Sequence, residues 1–134
     1  MTTETGTLAI DSEDDILVAR QRAREIAEEL GFRRTDVTRI VTAVSELSRN
    51  IHLYAGEGEM RWRALERHGQ PGLELQFVDE GPGIENVEAV LAGEHSTSEG
   101  MGRGVTGTKQ LVDEIEIDTE LGEGTTVTII KWAT

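Results

Sequence analysis

The stretch Ser45-Glu46-Leu47-Ser48-Arg49-Asn50-Ile51 decides how the chain is read. Around it, Val37, Ile40, Val41, Val44, Leu47, Ile51 and Tyr54 recur at three- and four-residue steps, the spacing of one buried helix stripe. At about 100° per residue, Glu46 and Asn50 fall together on one flank of that stripe, with Ala43 between it and them. A carboxylate and a carboxamide thus share an edge of a packed helix. Taken alone, that pair is an ordinary solvated edge. Three glycine-bearing stretches further along give it another meaning.

With 134 residues, the chain is expected to form a single domain over 1–134, frayed at residues 1–6. Thirteen basic residues stand against 26 acidic ones, a formal charge of −13. No basic stripe is present, so no nucleic-acid partner is expected. An anionic ligand would have to be held locally by backbone N–H groups, a helix end or a metal. The absence of cysteine excludes disulfide and thiolate chemistry and suits a reducing compartment. The first ten residues lack the basic start and apolar run of a signal peptide, and no apolar run approaches the roughly 20 residues of a membrane span. The expected location is cytoplasmic, with no membrane partner. His52, His68 and His95 lack metal-ligand spacing, and His52 reads as structural.

In chain order, Thr7 to Ile10 reads as a short edge strand. Ser12 is a candidate N-cap, with Asp15 three residues on and acids suited to the helix dipole. That helix runs to about Leu30, and Gly31 suits its C′ position. The second helix starts at Thr35 or Asp36 and ends before Gly56. Met60 to Glu66 alternates as a half-buried strand, and His68 to Gly72 reads as a hairpin connection. Leu73, Leu75 and Phe77 alternate in the next strand, so the pleat carries Asp79 to their helix-covered side unless a bulge intervenes. A cleft between sheet and helix would then gather Glu46, Asn50 and Asp79. Asn86 caps a short helix through Leu91, and Ala92 to Gly104 reads as a mobile lid. Val105 to Val112 reads as a helix, and Ile115 to Thr119 and Thr125 to Trp132 as strands. Helices over a sheet with one polar face make a two-layer α/β sandwich.

Asp79-Glu-Gly-Pro-Gly83 places a carboxylate at a strand end, where it can accept from an exocyclic amine. Gly81 and Gly83 would let a flat ring approach the backbone. Gly100-Met-Gly-Arg-Gly104 precedes a helix, where N–H groups suit a polyphosphate. Gly102, Gly104 and Gly107 satisfy G-x-G-x-x-G, but no strand directly precedes them and no βαβ unit surrounds them, which disfavours a dinucleotide fold. Gly102 to Lys109 departs from a P-loop because Thr108 separates Gly107 from Lys109. Gly124-Thr125-Thr126 opens the last strand, where Thr125 can offer a hydroxyl to the same cleft.

Taken in order, Glu46 with Asn50, Asp79-x-Gly-x-Gly83, Gly100-x-Gly-x-Gly104 and Gly124-Thr125 resemble the N, G1, G2 and terminal Gly-Thr boxes of the GHKL ATPases. The run Ala43 to Ala55, the segment Ser96-Thr-Ser98 and the end Ile130-Lys-Trp132 narrow the resemblance to RsbT-type switch kinases, over nearly all of residues 8 to 132. The resemblance implies the Bergerat fold, with helices on one face of a mixed, mostly antiparallel sheet. It implies a serine/threonine protein kinase that uses ATP and Mg²⁺ to phosphorylate STAS-domain antagonist and scaffold proteins and, once released, binds and activates a PP2C-type phosphatase. Carried onto this chain, Glu46 would be the general base and Asn50 the Mg²⁺ ligand. Asp79 would read the adenine amine, with Gly81 and Gly83 lining its pocket. Gly100, Gly102 and Gly104 would hold phosphates, and Thr125 would sit near the adenine. Glu99 and Arg103 depart from the pattern: Arg103 either offsets Glu99, touches the γ-phosphate, or is solvated. Two other readings stand beside this one, an anti-sigma factor kinase that binds a sigma factor directly and a binding module without transfer.

Overall fold

The computed structural model describes residues 5–80, 107–120 and 124–133. The described chain runs β1 (Thr5–Ile10), α1 (Glu13–Glu29), α2 (Arg34–Asn50), a wider π-helical turn (Ile51–Ala55), β2 (Gly58–Arg67), β3 (Gln70–Asp79), β4 (Glu114–Glu120) and β5 (Gly124–Trp132). Residues 107–109 are helical, and their last turn tightens through Gln110 N–H to Gly107 C=O and Leu111 N–H to Thr108 C=O. This helix therefore stops before the expected Val112. The expected helix 86–91 and the lid 92–104 lie outside the described residues.

Helix α1 starts after Ser12, whose side chain makes no cap bond. The Asp15 carboxylate closes the turn instead, accepting from Asp11 N–H at 2.9 Å. At the other end, Phe32 N–H reaches Ala27 C=O and Gly31 N–H reaches Glu28 C=O, the paired bonds of a Schellman motif. Phe32 buries as it does so. The chain reverses into α2, whose stripe Val37, Ile40, Val41, Val44, Leu47 and Ile51 is buried as its period requires.

The five described strands form one sheet in the order β1-β2-β3-β5-β4. A mixed, mostly antiparallel sheet was expected, and all four described pairings are antiparallel. β1 starts at Thr5, so Thr5 and Gly6 pair with β2 rather than fray. His68 and Gly69 both take left-handed backbone (φ 54° and 78°), a two-residue turn that matches strand twist. The hairpin is consequently tighter than expected, and Gln70, Pro71 and Gly72 belong to β3.

Met60, Trp62, Leu73, Leu75, Phe77, Val127 and Ile129 face the helices and form the core with them. The opposite face carries Arg61, Arg63, Glu74, Gln76, Thr126 and Thr128, with an ion pair between Arg63 and Glu74. Lys131 interrupts the apolar alternation of β5. It is buried, 3.5 Å from the equally buried Asp36 near the start of α2 and 3.4 Å from Asp113. Among the described residues, no helix is long and apolar enough to cross a membrane.

Candidate functional site

The site is built where the end of α2 meets the tip of β3. Asp79 is the last residue of β3 and pairs across Gly58 of β2 and Thr125 of β5. The register is unbroken from Gln70 to Asp79, so no bulge intervenes, and Asp79 keeps the side shared by Leu73, Leu75 and Phe77.

Gly58 brings the helix end to this tip. A Cβ on Gly58 would stand 2.4 Å from the Val78 carbonyl oxygen, 2.9 Å from Ile51 Cγ2 and 3.3 Å from Asp79 Cβ. Ile51 and Asp79 thus both flank Gly58, where only a hydrogen fits. Asn50 is the residue before Ile51. Its side chain is 8% exposed, and its Nδ2 has no hydrogen-bond partner among the described residues. Ser48 Oγ and His52 Nδ1 are buried and unpartnered in the same sense. Such atoms are uncommon in folded proteins, since each forfeits bonds that water would make. Three of them in one five-residue run mark the junction between α2 and the π-turn. π-helical insertions recur at functional sites.

Gly124 closes the other side of the tip. Its φ of 105° disfavours any side chain, and a Cβ there would stand 2.1 Å from the Asp79 carbonyl oxygen and 2.8 Å from Glu80 Cα. Next to it, Thr125 is buried, and its hydroxyl lies 2.9 Å from that of Thr119. Thr119 donates its proton to the Gly124 carbonyl at 3.0 Å. A hydroxyl has one proton, so Thr125 is the donor to Thr119 and keeps lone-pair capacity for another donor. The hydroxyl expected to be offered to the cleft is therefore an acceptor there.

Glu46 sits one helical turn before Asn50 and is 36% exposed, with Arg49 Nη1 3.5 Å from its Oε1. This pair is a loose surface contact, compatible with a carboxylate that exchanges partners. Around the tip, Asp11, Glu57, Glu59, Asp79 and Glu80 help to line a concavity of about 410 Å³. Its cation, Arg61, is hydrogen-bonded to Glu59 at 2.7 Å, which holds the guanidinium above its ordinary pKa. With five carboxylates to one cation, this groove disfavours an anion.

The described structure pairs Asp79 with Thr125 across β3 and β5, and Asn50 lies at the end of α2, one turn after Glu46. Gly81, Gly83, Gly100, Gly102, Arg103 and Gly104 lie outside the described residues. Sequence reasoning missed Gly58. Its signal is a glycine at the first position of a strand directly after the helix stop at Gly56.

Residues 11–131 match the family model described as "Histidine kinase-like ATPase domain". The chain is similar to the serine/threonine-protein kinase RsbT of Bacillus subtilis, 46% identical over 123 residues and 92% of each chain. It is also similar to the anti-sigma F factor of Caldanaerobacter subterraneus subsp. tengcongensis, 32% identical over 120 residues, covering 85% of this chain and 82% of that one. Among solved structures, it matches a crystal structure of the RsbU and RsbW domains of a Mycobacterium tuberculosis protein. The TM-score is 0.66 at 21% identity, over 98% of this chain and 33% of that one, a likeness of fold. The chain thus spans about a third of that polypeptide.

Proposed function

The chain belongs to the histidine kinase-like ATPase domain family, and from that premise we propose that it is an ATP-dependent serine/threonine protein kinase of a partner-switching signalling module. Its substrates are STAS-domain antagonist and scaffold proteins. Once released from them, it binds and activates a PP2C-type phosphatase. The observation that carries this reading is the buried Asn50, its amide nitrogen unpartnered among the described residues, one helical turn after the partly exposed carboxylate of Glu46.

In this reading Asp79 accepts from the adenine amine, and Thr125 adds an acceptor oxygen beside it. Gly81 and Gly83 line the ring, while Gly100, Gly102, Arg103 and Gly104 hold phosphates. Asn50 would hold Mg²⁺ through its side-chain oxygen, since one carboxamide oxygen suffices where phosphate and water supply the remaining ligands; its buried Nδ2, unpartnered among the described residues, is left to donate. Bound there, Mg²⁺ would neutralise charge on the phosphates. Glu46 is exposed enough to meet a hydroxyl carried by another protein. It takes the proton as that oxygen bonds to the γ-phosphorus and ADP leaves. Phosphoryl transfer asks the protein mainly for position and charge, which suits a site without a covalent nucleophile.

The test is incubation of the chain with Mg-ATP carrying labelled γ-phosphate and a STAS-domain protein, wild type beside Glu46→Gln. Label on a serine or threonine of the STAS protein, with transfer by Glu46→Gln reduced about 100-fold or more and Mg-ATP binding retained, is the expected result. Normal transfer by Glu46→Gln removes the base assignment. A chain that labels no STAS protein yet activates a phosphatase is a binding module. The similarity to anti-sigma factors carries the second reading, a kinase that binds a sigma factor directly; co-purification of a sigma factor in place of a STAS protein would select it.

A further inference from the structure

Three large apolar side chains of the described chain are strongly exposed: Leu17 at 59%, Val18 at 46% and Leu53 at 60%. All three fall toward one end of the described helix hairpin. Helices α1 and α2 form an antiparallel hairpin turning at Gly31, so the first half of α1, with Leu17 and Val18, lies level with the end of α2 and the π-turn that carries Leu53. That is the end occupied by Asn50 and Asp79. The other half of the hairpin shows no such side chain among the described residues. Large exposed apolar side chains on a highly charged chain are candidates for contact with another molecule.

The outward row of α2 gives the contact a direction. Thr38, Thr42, Glu46, Arg49 and Leu53 follow one another at three- and four-residue steps, from the far end of the helix to the site. The first two are polar and exposed, and Thr38 and Thr42 spend their hydroxyl protons on the helix carbonyls of Arg34 and Thr38. Only the last stretch of the row combines a carboxylate, a half-exposed guanidinium and an exposed leucine. Arg49 is 3.5 Å from Glu46, too far and too exposed for the pair to be a structural clamp. On a chain of charge −13, it is a local cation able to receive an incoming carboxylate.

Resting on the kinase reading above, we propose that Arg49 and Leu53 form the docking surface for the acceptor segment of the protein substrate. Leu53 takes an apolar side chain of that segment, and Arg49 takes an acidic one, which frees Glu46 to face the serine or threonine hydroxyl between them. Leu17 and Val18 extend the apolar contact onto α1. The acceptor segment thus carries an apolar residue and an acid close to the hydroxyl.

The experiment measures steady-state transfer from Mg-ATP to a STAS-domain protein that the wild type labels, with nucleotide affinity measured separately on each variant. Leu53→Asp and Arg49→Glu are expected to raise KM for the protein substrate about tenfold or more, with Mg-ATP affinity within about twofold of wild type. Leu53→Met is expected to restore the low KM, and Thr38→Asp, at the far end of the same row, to behave as wild type. Substrate KM unchanged in both Leu53→Asp and Arg49→Glu overturns the docking surface while leaving the kinase reading intact. Loss of nucleotide affinity in Leu53→Asp overturns it too, because the residue would then serve the nucleotide site. A wild type that labels no protein overturns the kinase reading and the docking surface together.

Discussion

At the scale of single residues, Gly124 is held by two independent demands, a φ of 105° and an approach of 2.1 Å between its missing Cβ and the Asp79 carbonyl. The first alone costs a non-glycine residue about 1–3 kcal/mol, and the second moves the tip of β3. Gly124→Ala is therefore expected to lower thermal stability and also to weaken nucleotide binding, because the displaced backbone carries Asp79. A scan of Tm alongside nucleotide titration checks this, and a variant that melts lower yet binds normally would separate Gly124 from the site. Gly124-Thr125 was legible because it stands in order as the terminal Gly-Thr box of the family pattern. Gly58 was not: a lone glycine between a helix and a strand has the same appearance whether it ends a turn or admits Ile51 beside Asp79. The donor role of Thr125 toward Thr119 was equally out of reach, since it depends on which carbonyl Thr119 has already engaged.

At the scale of elements, α2 is fastened at both ends. Near its start, buried Asp36 lies 3.5 Å from buried Lys131 of β5; past its end, Ile51 packs at Gly58. Removing one partner of a buried ion pair strands the other charge, at a cost of about 3–5 kcal/mol, whereas replacing both by apolar groups is often neutral. Lys131→Met leaves Asp36 with the half-exposed Arg39 at 3.8 Å, so it is expected to destabilise the fold by less than that amount, and Lys131→Met with Asp36→Leu to recover much of the loss; chemical denaturation of the two variants tests the pairing. Equal destabilisation in the single and double variants would contradict it. The periods of the elements were readable: the stripe of α2 and the alternation of β2 and β3 set type, order and inward face. Lys131 was not readable as buried, because a lysine within a strand ordinarily points to water. The antiparallel pairing of the described strands was likewise beyond the pattern of elements; it was the resemblance that implied a mostly antiparallel sheet.

At the scale of the whole molecule, the chain carries a formal charge of −13. The five carboxylates that help line the groove at the strand tip add to that field. An anionic nucleotide approaches against this repulsion, which salt screens over about 8–10 Å at physiological ionic strength. Association of Mg-ATP is therefore expected to quicken as salt is raised from about 10 to about 150 mM, opposite to the usual trend for an anion entering a basic site. Stopped-flow association across that range checks the sign.

The central claim is that the end of α2 and the tip of β3 build one nucleotide site, and calorimetric titration of Mg-ATP into wild type, Asn50→Ala and Asp79→Asn tests it most directly. Saturable binding by the wild type is predicted, with magnesium-dependent binding lost in Asn50→Ala and adenine nucleotide binding lost in Asp79→Asn, while both variants remain folded. Two folded variants that bind Mg-ATP as tightly as the wild type would contradict it.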